Sequence, residues 1–402
     1  MKNILSLSYN DLPPNLKTVL LHLSNFPEDY VIGRERLVRQ WIAEGFISEE
    51  RGRSYQEVAE SYFYELINKS LVQPVDIGYD GMVHACRVHD MMLELIISKS
   101  IEENFITVVN GSQTVWESSQ CSVRRLSIQD IDQELASELS KKDLRHVLSL
   151  IKTSLGCIKH LPSLAKFEAL RVLDFGGCRG LTEYDMDGIE NLFQLKYLSF
   201  RRTDISELPS GIVMLHDLET LDLRGTSIEH LPARIVQLTK LQHLLCGNHL
   251  WKLPIGIGNM TTLKEISGFD ITMSSVGAVK ELGSLINLKV LHVRFTVKDE
   301  ESQEYKIHAE MFHSSLCKLG SHKLQSMRID GGNSSLFKLL DSWSPLPSCL
   351  QRFEMGSPYS LSKLPKWITP ALTRLACLNI NNRGGSWHTW RAACITFSDT
   401  LY

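Results

Sequence analysis

His89 and Asp90 set an imidazole beside a carboxylate at the start of an apolar-periodic stretch, in the run Cys86-Arg87-Val88-His89-Asp90-Met91-Met92-Leu93. Such an imidazole can carry a proton, ligate a metal or donate to an anion, and a helix start favours the last of these. Nothing in the sequence supplies a substrate for the first role. No G-x-x-x-x-G-K-[ST], G-x-S-x-G or H-E-x-x-H run occurs in the 402 residues. The glycines of Phe175-Gly176-Gly177-Cys178 and Asp330-Gly331-Gly332 lead into no Lys-Ser or Lys-Thr pair, so they read as turn glycines. His84, His89, His308, His313 and His322 read as surface or partly packed histidines rather than metal ligands. The residues give no convincing enzyme constellation.

The totals narrow the class further. With 43 Lys and Arg against 46 Asp and Glu, 22% charged and 43% hydrophobic residues, the chain has ordinary soluble composition and no polybasic bias. Its length calls for two units or an elongated array. Nine cysteines, an odd count without C-x-x-C spacing, argue against a disulfide framework and a zinc knuckle, and are expected reduced. No run approaches the ~18 apolar residues of a membrane-spanning helix, so a cytoplasmic protein is expected.

The elements that must position His89 begin upstream. Leu16, Val19, Leu20 and Leu23 follow a Pro-Pro start at helical spacing, and Phe26-Pro27 ends the run. Leu37, Trp41 and Ala43 to Phe46 mark a second helix with Gly45 as its stop. Ser54 to Glu57 has the form of a capping box opening a third, with Val58, Tyr62, Leu66 and Ile67 inward. Alternation on either side of Tyr79-Asp80-Gly81 predicts a hairpin, and helical spacing returns after Val88. Helices, a hairpin and another helix form a winged-helix pattern. Residues 1–104 hold 10 Lys and Arg against 16 Asp and Glu, a balance that does not suit DNA, so the module is expected to pack against protein. Arg34, Arg36 and Arg39 read as a solvated face.

Self-similarity dominates from residue 123. The pattern Leu-x-x-Leu-x-Leu, with apolar substitutions, starts at Val123, Leu144, Leu170, Leu195, Leu218, Leu241, Leu263, Leu288, Leu324, Leu350 and Leu375. All steps but one fall in the 20–29 residue window of leucine-rich repeats. The longer step, from Leu288 to Leu324, holds a polar insertion or a longer element expected outside the sheet. Inward residues at the first, fourth and sixth positions leave the third, fifth and seventh on the concave face. The seventh positions include Gly176, Arg201, Arg224, Phe269, Arg294 and Asp330, and the fifth include Asp174, Asp222, His292, Arg328 and Glu354. This mixed-charge ladder suits a protein partner. Arg201 and Arg224, in adjacent repeats with Asp222 as nearest acid, read either as a solvated pair or as a partner-binding site.

In this order, LSLSYNDLPPNLKTVLLHLSNFPEDYVI, LVRQWIAEGFI, RVHD and irregular leucine-rich repeats resemble the C-terminal half of plant nucleotide-binding leucine-rich-repeat immune receptors of the coiled-coil class. The resemblance implies an α/β chain, a mainly helical winged-helix domain followed by a leucine-rich-repeat solenoid. The expected division is winged helix over 1–104, linker over 105–122, repeats over 123–381 and an off-pattern tail over 382–402. In that family the histidine of the Met-His-Asp motif, here Val88-His89-Asp90, contacts the β-phosphate of bound ADP. Asp90 takes either a switching role or that of helix N-cap. The family's phosphate-binding loop and magnesium carboxylates have no counterpart in these residues, so ADP or ATP belongs to the full-length family and no cofactor is expected for this chain alone. The resemblance further implies as partners a pathogen effector or guarded host protein, and a nucleotide-binding domain in cis or trans. Nucleic acid is not among them. A stand-alone interaction scaffold or decoy is the alternative.

Overall fold

The computed structural model describes residues 2–78, 81–110, 123–153, 161–247, 251–296, 302–332, 334–345, 347–356, 366–369, 372–381 and 387–391. The chain divides into two compact units, Met1–Ile205 with Pro209–Thr220, and Ser206–Leu208 with Leu221–Tyr402.

The first unit opens with helices α1 (Lys2–Asn10) and α2 (Pro14–His22), a two-residue strand β1 (Ile32–Gly33), and helices α3 (Arg34–Glu44) and α4 (Tyr55–Asn68). A hairpin of β2 (Gln73–Ile77) and β3 (Val83–Arg87) leads into α5 (Asp90–Glu102), and the small sheet runs β1-β3-β2. Local chemistry sets these boundaries. Gly45 adopts φ 81, and the amides of Gly45 and Phe46 donate back to Ile42 and Trp41, closing α3. Ser54 and Glu57 cap α4 reciprocally, Ser54 N–H donating to Glu57 Oε2 at 2.7 Å. Leu16, Val19, Leu20, Leu37, Trp41, Val58, Phe63 and Ile96 meet in one buried cluster. Gly81 supplies positive φ after the hairpin tip, whose Tyr79 and Asp80 lie outside the described residues.

Strands β4 (Thr107–Asn110), β5 (Arg125–Asp130), β6 (Ser149–Lys152), β7 (Val172–Asp174) and β8 (Tyr197–Ser199) pair in order, all parallel, with helix α6 (Gln133–Ser140) after β5. The ladder thus begins at Thr107, inside the segment read as linker. Its remainder, 111–122, lies outside the described residues. Register also corrects one repeat start. Leu150 pairs with Leu126 and Leu173, so the second unit of the pattern starts at Val147 rather than Leu144, which is a turn residue bonded to the Val147 amide.

Strand β9 (Thr220–Asp222) falls at the division, and the second unit carries β10 (His243–Leu245), β11 (Glu265–Asp270), helix α7 (Val276–Glu281), β12 (Val290–Phe295), helix α8 (Gln303–Gly320), β13 (Ser326–Gly331), helix α9 (Ser334–Leu340), β14 (Arg352–Gly356), β15 (Cys377–Asn381) and β16 (Trp387–Arg391). β10 to β15 pair in parallel, and β16 returns antiparallel to β15 within the segment read as tail. The long step is helix α8, which buries Tyr305, His308, Phe312, Leu316 and Leu319.

One bulge changes a side-chain direction. Between Ser267 and Phe269 the register shifts by one residue, Phe269 pairs with Val293, and its ring is fully buried rather than on the concave face. Gly268 makes this possible at φ 86, where a Cβ would lie 2.4 Å from the Cys246 carbonyl oxygen. Gly268→Ala is expected to destabilise the second unit by about 2 kcal/mol through strain and displaced backbone. A thermal melt unchanged within error would refute it.

Candidate functional site

The N-terminal part of the concave face is occupied by the winged helix. Arg36, in the first turn of α3, donates from Nε to Asp174 Oδ2 at 2.7 Å, and Gln40 one turn later donates Nε2–H to the same oxygen at 2.5 Å. Asp174 is fully buried at the fifth position of its repeat. The Arg36 guanidinium also donates to Tyr30 Oη at 2.8 Å and lies over the rings of Phe26 and Tyr30. Burial alone would loosen its proton, and Asp174, Tyr30 and Tyr197 more than reverse that, so the pair is held ionic.

Further along α3, Ala43 packs with Ile151, Val172 and Tyr197. Glu44 accepts from Arg125 Nε at 3.0 Å, and the Arg125 guanidinium sits 4.9 Å from the Phe46 ring centre and 4.4 Å from that of Phe105. The hydroxyls of Ser127 and Thr153 both donate to the Asn25 carbonyl, at 3.1 and 3.3 Å. Outward positions on β5, β6 and β7 are therefore spent on the chain's own module. The solvated reading of the arginines is overturned: Arg34, Arg36 and Arg39 are 7%, 9% and 4% exposed. Arg34 pairs with Glu35 and Tyr64, Arg39 with Glu35, and Arg36 with Asp174, so each buried charge has its counter-group.

His89 is exposed, and it rather than Asp90 is the N-cap of α5. The Met91 amide donates to His89 Nδ1 at 3.4 Å, while Asp90 is the first helical residue. The cap reading of Asp90 is corrected accordingly: its carboxylate favours the helix dipole from inside the first turn. With Nδ1 accepting, the neutral ring carries its proton on Nε2, where it can be donated. The neighbourhood is acidic. The Glu28 carboxyl is pushed above its usual range by the charge of Asp90 first, and also by a hydrogen bond with Asp90 and the charges of Asp29 and Glu94. Arg87, two residues before His89, is paired with Asp29 at 3.2 Å.

The remaining concave residues lie on the repeats. Arg201, partly buried, follows β8 and donates its amide to Ser199 Oγ at 3.4 Å. Arg224 grips Asp222 through Nε and Nη2 at 2.9 and 2.5 Å, so this arginine and its predicted acid do meet. His292 and Arg294 share β12, and His292 Nε2 lies 2.7 Å from Asp330 Oδ2. His243 meets Glu265 at 3.2 Å on the adjoining strands β10 and β11. His313 approaches Cys317 at 3.7 Å one turn apart, and no group of three or more His, Cys, Asp or Glu able to hold a metal occurs among the described residues.

Sequence reasoning missed Arg36, Gln40, Glu44, Arg125 and Asn25. Asp174, an acid at a concave position, was the visible half of that contact.

No helix among the described residues is long and apolar enough to cross a membrane. Residues 26–96 match the disease resistance protein winged helix domain, and residues 146–384 match the leucine-rich repeat region family. The rice (Oryza sativa subsp. japonica) disease resistance protein PIK6-NP is 37% identical over 94% of this chain and 38% of its own length. Rice Pik-2 is 38% identical over 94% of the chain and 39% of its own length, and rice RGA5 is 33% identical over 95% and 34%. The chain spans well under half the length of these relatives. With both regions matched in order on a winged helix and a parallel repeat ladder, the chain belongs to the plant disease resistance proteins of the nucleotide-binding leucine-rich-repeat class.

Proposed function

We propose that the chain is the recognition and lid portion of a cytoplasmic plant immune receptor. Its repeats recognise a pathogen-derived or guarded host protein, and its winged helix couples that event to a nucleotide-dependent defence switch. The observation that carries this reading is the α3 contact: Arg36, buried in the winged helix, is ion-paired to Asp174 of the repeats, so a load on the repeats is felt by the module that presents His89.

The His89 neighbourhood does not by itself fit a nucleoside diphosphate. It offers one N–H donor, His89 Nε2, and a helix start, set among Glu28, Asp29, Asp90 and Glu94. Residues of a nucleotide-binding domain, in cis or in trans, must supply the cationic and backbone donors. In this reading His89 senses a phosphate that another domain holds. Titration of the purified chain with ADP is expected to give no binding tighter than millimolar, and addition of a P-loop domain in trans to give binding that His89→Ala weakens. Micromolar binding by the chain alone would overturn the lid reading. The same acidic surroundings favour the second reading, a scaffold or decoy that needs no nucleotide; it predicts no effect of the added domain.

A further inference from the structure

The turn that leads into α4 presents a hydroxyl behind two arginines. Ser54 follows Arg51 by three residues and Arg53 by one, and all three side chains are exposed. The Arg53 amide closes the turn on the Glu50 carbonyl at 3.2 Å, with Gly52 at φ 77. Arg53 donates to Glu50 Oε2 at 2.7 Å and to the Glu57 carbonyl at 2.9 Å. Ser54 Oγ donates to Glu57 Oε2 at 2.8 Å and accepts from the Glu57 amide at 3.3 Å. Arg51 makes no hydrogen bond or ion pair among the described residues. These bonds begin and end within residues 50–57, and no residue from 51 to 55 is buried. The segment can therefore open at the cost of one helix cap, without loosening the core.

A protein kinase that reads its substrate by charge takes an arginine upstream of the acceptor into an acidic pocket, and needs that stretch of backbone free. Four other hydroxyls also follow an arginine by three residues: Ser127, Thr182, Ser227 and Ser386. Ser127 is fully buried on β5 and donates to the Asn25 carbonyl. Ser227 is exposed, but its Arg224 is clamped on Asp222 through two hydrogen bonds. Thr182 is exposed too, yet between it and Arg179 the Leu181 side chain is buried and the Gly180 amide is tied to Asp204 at 2.9 Å. Ser386 lies outside the described residues. Ser54 alone among the described four joins an exposed hydroxyl, an unpaired arginine and a backbone anchored only to itself and the first turn of α4.

We propose that Ser54 is the acceptor for an arginine-directed serine/threonine protein kinase, with Arg51 as the residue that the kinase reads. Ser54 Oγ attacks the γ-phosphorus of ATP, the P–O bond to the β-phosphate breaks, ADP leaves, and the hydroxyl proton passes to a base of the kinase. The product sets about two negative charges at the start of α4, where the helix dipole favours them. The Glu57 amide stays a donor to the phosphate, while the Glu57 carboxylate is repelled and the reciprocal cap is lost. Arg51 and Arg53 are the adjacent counter-ions. The proposal stands independently of the recognition and lid readings above.

The test incubates the purified full chain with ATP and the catalytic subunit of cyclic-AMP-dependent protein kinase, an arginine-directed probe, and maps the label by mass spectrometry. Ser54 is expected to carry most of the phosphate, at an initial rate that falls about tenfold on Arg51→Ala and is unchanged on Glu57→Gln, which preserves the capping box. Ser54→Asn keeps a capping side chain without the nucleophile, so loss of label with an unaltered thermal melt reports the acceptor rather than the fold. Casein kinase II, an acid-directed probe run in parallel, should label Ser54 at about a tenth of that rate or less. No label on Ser54, or label on Thr182, Ser227 or Ser386 in its place, would overturn the assignment. Label that survives Arg51→Ala, or that the acid-directed kinase places faster, would remove Arg51 as the residue read.

Discussion

Asp174→Ala is expected to lower the stability of the first unit by about 3–5 kcal/mol, the range for a buried ion pair stripped of one partner. Asp174 is fully buried, and Arg36 and Gln40 both donate to its Oδ2 while the Gly176 amide donates to Oδ1 at 2.8 Å. Removing the carboxylate leaves a guanidinium that cannot shed its proton and is only 9% exposed to water. Tyr30 Oη and the rings of Phe26 and Tyr30 remain around it, which softens the loss without cancelling a full charge. The double change Arg36→Met with Asp174→Ala should recover much of the loss, because an apolar pair carries no stranded ion. Urea unfolding together with hydrogen exchange of the α3 amides reads both. A loss under 1 kcal/mol for Asp174→Ala, with α3 protection unchanged, would show that the helix is held by apolar packing alone.

Acid should loosen the same unit through His22. This ring is fully buried between Phe26 and Phe46, and neither of its nitrogens has a hydrogen-bond partner among the described residues. Burial, and then the charges of Arg125 and Arg36, lower its pKa from 6.5 to about 3. The folded state therefore keeps the imidazole neutral where the unfolded chain would protonate it. Its contribution is complete above pH 6.5 and is lost as pH falls from there toward 3. At about 1.36 kcal/mol per unit, the loss reaches roughly 3 kcal/mol at pH 4. His22→Leu should flatten the pH dependence between 6.5 and 5, a window above most carboxylates. Equal slopes for the two proteins in urea titrations would place the acid sensitivity elsewhere.

What could be read from sequence was what repeats or alternates. Leu37 and Trp41 announced α3 because helical spacing needs only one chain segment to be seen. The repeat starts were legible because a parallel ladder puts Leu at the same three positions every time. Arg36 was not legible. A charged residue on a helix reads as solvated until its counter-group is known, and Asp174 lies 138 residues away in the chain. Thr107–Asn110 escaped as a strand because it has no leucine pattern and is defined only by pairing with β5. Leu144 misled for the opposite reason: a turn leucine fitted the spacing, and only register with Leu126 and Leu173 moved the start to Val147. Phe269 was placed on the wrong face because one glycine bulge reverses side-chain direction. At the candidate site, the identity of His89 was visible from its neighbours, while its role as cap depended on backbone angles that composition does not encode.

The grip of α3 on β5, β6 and β7 also sets where such receptors can be spliced. A crossover between the winged helix and the repeats, at the border that domain names suggest, would separate Arg36 from Asp174 and Glu44 from Arg125. Recombinants joined there inherit mismatched halves, whereas exchanges that leave 1–205 intact pass on a finished interface. The far end of the array makes none of these contacts, and the first strands are obliged to travel with the module they hold.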